Sequence, residues 1–276
     1  MKTKENNRIW LGLARASALS ITLFGIVGQV GAVVVDLTNP PLGTTGTIGG
    51  AIFESGSLDT STGTGVFNPF VRVHDNDGEE EGFNTGGARM PDVVGGAHTK
   101  EVKLSSLRTV SLGGNDYVRL VLDLGEPSSG DKSLISLVDL RVFVLGTTVL
   151  DATNTTELFG GTPLFAFGAG DRVDLDYDLV SSGNGRSDMF FYLPVALFTS
   201  YQPDDYFYLY SKFGTTENTA PPYPAEGTFE EWGSARQGSP IAFELDRNPP
   251  GIPEPTSILF GATLAAVTGF SRRRPR

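Results

Sequence analysis

The sequence predicts an all-β protein, an antiparallel β-sandwich of the jelly-roll kind, with an N-terminal signal helix and a short C-terminal transmembrane helix. Three observations carry that expectation. Apolar and polar residues alternate with a period of two along the body, as half-buried strands require. Turn formers separate the alternating runs: Asn39-Pro40-Pro41, Gly113-Gly114, Pro127-Ser128-Ser129-Gly130 and Gly183-Asn184-Gly185. Outside the two ends, no window carries a convincing amphipathic helix.

In chain order the strand candidates are Val33 to Leu37, Ile48 to Phe53, Val66 to Val73 and Val102 to Leu112. Asp116 to Leu124 follows, with Val118, Leu120, Leu122 and Leu124 on one face and Arg119 and Asp123 on the other. Val138, Leu140, Val142 and Val144 repeat the pattern against Asp139 and Arg141. Val173 to Leu179 sets Val173, Leu175, Tyr177 and Leu179 against Asp174, Asp176 and Asp178. Met189 to Leu193, Val195 to Thr199, Tyr206 to Phe213 and Ile241 to Leu245 complete the set. Leu42 to Gly65 is rich in Gly, Thr and Ser, an exposed hairpin or a loop, and the strand character of Ile48 to Phe53 favours the hairpin. Thr215 to Pro240, spaced by Pro221, Pro222, Pro224 and Pro240, is expected to be mostly loop.

The ends differ from the body. Lys2, Lys4, Arg8 and Arg15 precede a mostly apolar stretch from Ala16 to Val30, and Val30-Gly31-Ala32 offers the small residues that signal peptidase cuts after. Residues 1–32 are thus expected to be a signal peptide for Sec-type export, or else an uncleaved helix that still puts the body outside the cytoplasm. Residues 33–247 form the β-sandwich body, 248–252 a short stiff linker, and 253–276 a tail.

That tail has three parts. Pro253-Glu254-Pro255 is extended and lacks two amide donors, so it joins neither a helix nor a sheet. Thr256 to Phe270 is uncharged; as a helix its 15 residues cover roughly 22 Å, short of the ~30 Å hydrocarbon core. Such a segment is a marginal stop-transfer element, and Arg272, Arg273, Arg274 and Arg276 hold its far end in the cytoplasm. This order, proline-bracketed glutamate, short apolar helix, basic cluster, resembles the PEP-CTERM sorting signal of Gram-negative bacteria that make extracellular polysaccharide. The resemblance covers residues 252–276. It implies transient residence in the inner membrane, recognition and removal of the tail by an exosortase, and release to the cell surface or the extracellular matrix. A plain tail anchor is the other reading. Tyr206 to Gly214 and Gly227 to Gly233 are loosely similar to segments of other exported bodies with this tail, which supplies no activity.

Composition bounds the body. There are no cysteines among the 276 residues, which excludes a disulfide scaffold, thiol catalysis and cysteine-ligated metals. Eight of the 21 basic residues and two of the 32 acidic ones belong to the ends, leaving 13 against 30, a formal charge of −17. A surface so negative repels nucleic-acid phosphates and anionic lipid.

Candidate chemistry is sparse. The run His74-Asp75-Asn76-Asp77-Gly78-Glu79-Glu80-Glu81-Gly82 invites Ca²⁺, with Asp75, Asp77 and Glu79 as ligands, because that ion wants several oxygens on a tightly turning backbone. It fails EF-hand spacing: Glu80 stands where glycine belongs and Gly86 where the bidentate glutamate belongs. A solvated acidic turn is the competing reading. Glu230-Glu231 and Asp204-Asp205 are the adjacent carboxylate pairs, and neighbours on a strand face opposite ways, so neither pair alone makes a glycosidase site. His74 and His98 are the only histidines, and Gly-x-Ser-x-Gly and phosphate-loop motifs are absent. Tyr206, Tyr208 and Tyr210 share one strand face near Trp232, and as an exposed row they would stack sugar rings; the competing reading has them closing the core edge with hydroxyls at the rim. The expectation is an exported, non-catalytic structural or adhesive component that needs no cofactor. The alternatives are a lectin-like module, Ca²⁺-assisted or not, and a polysaccharide-active enzyme.

Overall fold

The computed structural model describes residues 31–56, 67–75, 77–149, 158, 160–180, 187–217, 220–235 and 239–241. The chain divides into Met1–Gly31 and Ala32–Arg276, and every strand below belongs to the second unit. The stretch before Gly31 expected to be a signal peptide, the expected linker at 248–252 and the 253–276 tail lie outside the described residues. Among the described residues no helix is long and apolar enough to cross a membrane.

Fifteen strands run in chain order: β1 Val34–Leu37, β2 Thr45–Ile48, β3 Ala51–Ser55, β4 Phe67–Val73, β5 Glu79–Phe83, β6 Val102–Lys103, β7 Arg108–Leu112, β8 Asn115–Asp123, β9 Leu134–Leu145, β10 Phe165–Ala166, β11 Arg172–Asp176, β12 Met189–Pro194, β13 Tyr206–Gly214, β14 Glu230–Ala235 and β15 Ser239–Pro240. The described helices are short 3-10 turns and a single helical residue, so the expected all-β class holds.

One sheet has the order β1-β11-β9-β13-β5, with β10 added to β9 and β6 to β13. The other runs β15-β7-β8-β12-β3-β2, with β14 bridging β8 and β4. The pair β1–β11 is parallel and the other ladders are antiparallel. One edge of β13 changes partner from β6 to β5, and the Asn84 side chain fills the gap. It donates to the Phe207 carbonyl at 2.8 Å and accepts from the Leu209 amide at 2.7 Å.

Side chains from both sheets meet in one apolar cluster. Phe70 of β4 meets Phe207 of β13 edge-on at 6.0 Å, and Phe213 of β13 lies 6.5 Å from Trp232 of β14. The Trp232 indole N–H donates to Ser211 Oγ at 3.1 Å, so the largest core side chain also keeps its polar atom satisfied. Each such side chain, fully buried, contributes about 1.5–3 kcal/mol.

Several expected strands shift for local reasons. Ile48 to Phe53 is a hairpin rather than a strand, because Gly49 and Gly50 sit at φ 57° and 84° and make a two-residue turn between β2 and β3. Val102 to Leu112 breaks at the 3-10 turn Leu104–Ser106, where the chain leaves β13 for β8 and so changes sheet. Val195–Phe198 is a 3-10 turn following Pro194, and Tyr177–Leu179 is another, capped by the Asp176 carboxylate accepting from the Asp178 amide. Four strands were not expected: β5, hidden in the acidic run, β14 and the two-residue β15, in the proline-spaced stretch, and the two-residue β10.

Candidate functional site

The aromatic row is not a platform. Tyr208 and Trp232 are 0 % exposed and Tyr210 4 %, with only Tyr206 half-buried. Both faces of β13 are covered. Phe207, Leu209 and Phe213 look into the inter-sheet core, while the Val149 amide donates to the Tyr208 hydroxyl at 2.8 Å on the other side. Tyr210 donates to Glu81, and burial together with that carboxylate pushes its pKa up. A sugar ring cannot lie on Tyr208, Tyr210 or Trp232 as they stand. Of the two sequence readings of this row, the burial fits the one that closes a core edge.

The expected calcium residues part company. Glu79 lies on β5 and bonds Lys212 Nζ at 2.8 Å and the Thr216 amide at 3.3 Å; the lysine holds its pKa below the usual carboxylate range. Asp75 donates its backbone amide to Glu80 Oε2 at 3.0 Å, and Asp77 is exposed beside the turn at Gly78. Among the described residues no three His, Asp or Glu side chains gather as a metal ion would need. Asp204 pairs with Lys103 at 2.9 Å, and Asp205 accepts from the Gln202 amide at 2.7 Å, so that carboxylate pair belongs to a turn.

Three other glutamates are buried more deeply. Glu80 pairs with Phe213 across the β5–β13 ladder and shares its inward face. Glu230 lies two residues before Trp232 on β14 and faces the same interior. Glu126 follows β8, next along the inward row Leu122 and Leu124. These three residues are 2 %, 1 % and 3 % exposed, and Glu80 Oε1 and Glu230 Oε1 have no hydrogen-bond partner. Burial pushes Glu80 up to about 8, aided by the charges of Asp92 and Asp75, although the Asp75 amide pulls the other way. Burial likewise pushes Glu126 up to about 8, aided by Glu80 and Glu226, against the pull of the Glu226 amide. Both therefore hold a proton at neutral pH, which removes the cost of burying two like charges side by side.

Residues 220–228 roof this end of the interior. Ala225 N–H donates to Gly78 O at 3.0 Å, Thr228 N–H to Gly125 O at 3.0 Å, and Glu226 N–H to both Glu126 oxygens at 3.1 and 3.3 Å. The approach needs glycine: at Gly214, φ 75°, a Cβ would stand 2.1 Å from Gly78 O. A cleft of about 430 Å³ adjoins the roof, lined by Asp77, Lys132, Thr215, Glu217, Pro224 and Glu226 among others.

On the outer face of the eight-stranded sheet, Glu231 is bound by Arg72, with Nε at 3.0 Å and Nη2 at 2.9 Å from Oε1. Phe229 lies under that guanidinium at 3.9 Å. His98 Nδ1 stands 2.8 Å from the same oxygen, an ion contact when the imidazole is protonated. The expectation that Glu230 and Glu231 face opposite ways is met. What sequence reasoning missed is the burial of Glu80, Glu126 and Glu230: alternation from Trp232 marks Glu230 as inward, alternation from Leu122 and Leu124 marks Glu126, and no signal marks Glu80. No family model, curated protein or solved structure matches this chain.

Proposed function

We propose that the chain is an exported protein, sorted by a C-terminal PEP-CTERM signal and trimmed by an exosortase. Its body then serves as a non-catalytic structural or adhesive component of the cell surface or exopolysaccharide matrix. The observation that carries this reading is the tail: Pro253-Glu254-Pro255, then 15 uncharged residues, then Arg272, Arg273, Arg274 and Arg276. On it, the Sec machinery, signal peptidase, the inner membrane and an exosortase are transient partners, and extracellular polysaccharide is the lasting one. The two sheets are read as the layers of a jelly-roll-like sandwich, which the Phe70–Phe207 and Trp232–Ser211 contacts between them support.

A rigid exported body suits a matrix component. The carboxyl groups a glycosidase would use are roofed over at Glu80, Glu126 and Glu230 or bound to a guanidinium at Glu231. A lectin-like role would need a surface other than Tyr208, Tyr210 and Trp232.

Replacing Pro253, Glu254 and Pro255 together by alanine tests the sorting step. The expected outcome is full-length precursor accumulating in the inner-membrane fraction, with product lost from the medium. Normal release of the triple variant contradicts the proposal.

A further inference from the structure

We propose that Asp171 captures the N-terminus that signal-peptide removal creates. Cleavage between Ala32 and Val33 turns the Val33 nitrogen into an ammonium, which pairs with the Asp171 carboxylate and fastens β1 to β11. This rests on the export reading and on cleavage at that bond.

The carboxylate stands at the right atom. The Val33 amide donates to Asp171 Oδ1 at 2.7 Å, and the Arg172 amide donates to the Val33 carbonyl at 3.1 Å. Val33 thus enters the parallel β1–β11 ladder one residue before Val34 pairs with Arg172. The turn that presents Asp171 is closed on itself. Asp171 N–H donates to Gly168 O at 3.1 Å and Gly168 N–H to Asp171 Oδ2 at 2.8 Å, while Gly170 takes the φ of 81° that the third position of such a turn requires. Val33 is fixed as well, its side chain half-buried against the inter-sheet core, which keeps its nitrogen near the carboxylate. Gly31 and Ala32, on the other side of the bond to be cut, are exposed.

Hydrolysis changes what that nitrogen is. Water gives its hydroxyl to the Ala32 carbonyl carbon and a hydrogen to the Val33 nitrogen, which takes a further proton at neutral pH because a free α-amino group titrates at about 8. One neutral donor becomes three donors and a positive charge facing a carboxylate, the stronger kind of hydrogen bond. Among the described residues no other cation pairs with Asp171. The charges nearby have partners of their own. Arg172 of β11 is held by Asp174 at 3.0 Å, Asp36 of β1 accepts from Thr38, and Glu54 of β3 accepts from the Tyr192 hydroxyl. β2 brings Thr45, Gly46, Thr47 and Ile48, none of them titratable. Since β1 is four residues long and has one partner in its sheet, an anchor at its entry bears on the whole strand.

Amine labelling of the product that cells export from the full-length gene tests the capture, after sequencing of its N-terminus. Acetic anhydride reacts with the neutral amine, so the midpoint of labelling against pH, read on the N-terminal peptide by mass spectrometry, reports where the amine titrates. In the folded wild type that midpoint should lie about half a pH unit or more above its value in guanidinium-unfolded product, equivalent to about threefold slower labelling at neutral pH. Asp171→Asn should remove most of the rise and Asp36→Asn little of it. Should Asp171→Asn fail to fold, the wild-type difference between folded and unfolded product, set against that of Asp36→Asn, decides the matter. An exported product with a first residue other than Val33 overturns the proposal together with the cleavage point. A product that starts at Val33, with a midpoint unmoved by folding or by Asp171→Asn, overturns the capture alone and leaves the export reading intact.

Discussion

Glu230 and Glu231 are neighbours on β14, yet they belong to regions that handle a buried carboxyl group in different ways. Outside the eight-stranded sheet, Glu231 is 6 % exposed and held by Arg72, with His98 beside it. Inside, Glu230, Glu80 and Glu126 are 1 %, 2 % and 3 % exposed, and Glu230 Oε1 and Glu80 Oε1 lack hydrogen-bond partners. Desolvation penalises a charge in both places. The outer region answers with a guanidinium, the inner one with protons. The difference teaches that the −17 charge of the body is nominal, since part of it is neutralised where burial is deepest.

The comparison can be broken most severely at the roof. Gly214→Ala puts a methyl against the Gly78 carbonyl from a left-handed backbone and should cost about 3 kcal/mol or more, read as a lower urea midpoint.

A pH series sharpens it next. Glu80 and Glu126 have folded values above their unfolded ones, so the stability they contribute is complete below the ordinary carboxyl range and is lost as pH rises toward about 8. The unfolding free energy should therefore fall from mildly acid to mildly alkaline pH by about 2 kcal/mol or more, read as a lower urea midpoint, and Glu80→Gln with Glu126→Gln should flatten the slope. Asp36 and Glu79, held low by Thr38 and Lys212 respectively, lean the other way, but both are near the surface and count for less.

Arg72→Ala strips Glu231 of its guanidinium and should cost about 2 kcal/mol, less than a fully buried pair because Arg72 keeps 19 % of its side chain exposed. Lys212→Ala, at the half-exposed pair with Glu79, should cost about 0.5 kcal/mol, close to the limit of a denaturation measurement.

Much of the fold was legible because alternation is a local signal: β4, β8, β9, β12 and β13 fall where period-two patterning puts them. What escaped depends on distant partners. Strand β5 is written as Glu79-Glu80-Glu81-Gly82-Phe83, which as a sequence is an acidic turn; it is a strand because β13 offers a free edge there. The three tyrosines of β13 alternate like a half-exposed row, and residues distant in sequence, Val149 at the Tyr208 hydroxyl and Glu81 at that of Tyr210, meet two of them. Glu80, Glu126 and Glu230 lie in three separate stretches, and it is the packing of distant elements that buries each of them.

The proposed role requires that this body be delivered and then cut free of its tail. Intact mass and C-terminal peptide analysis of protein recovered from medium and from membranes tests it directly. A released form ending near Pro253, with the arginine-bearing peptide confined to the membrane precursor, is the predicted result. A released form that retains Arg272 to Arg276 would contradict it.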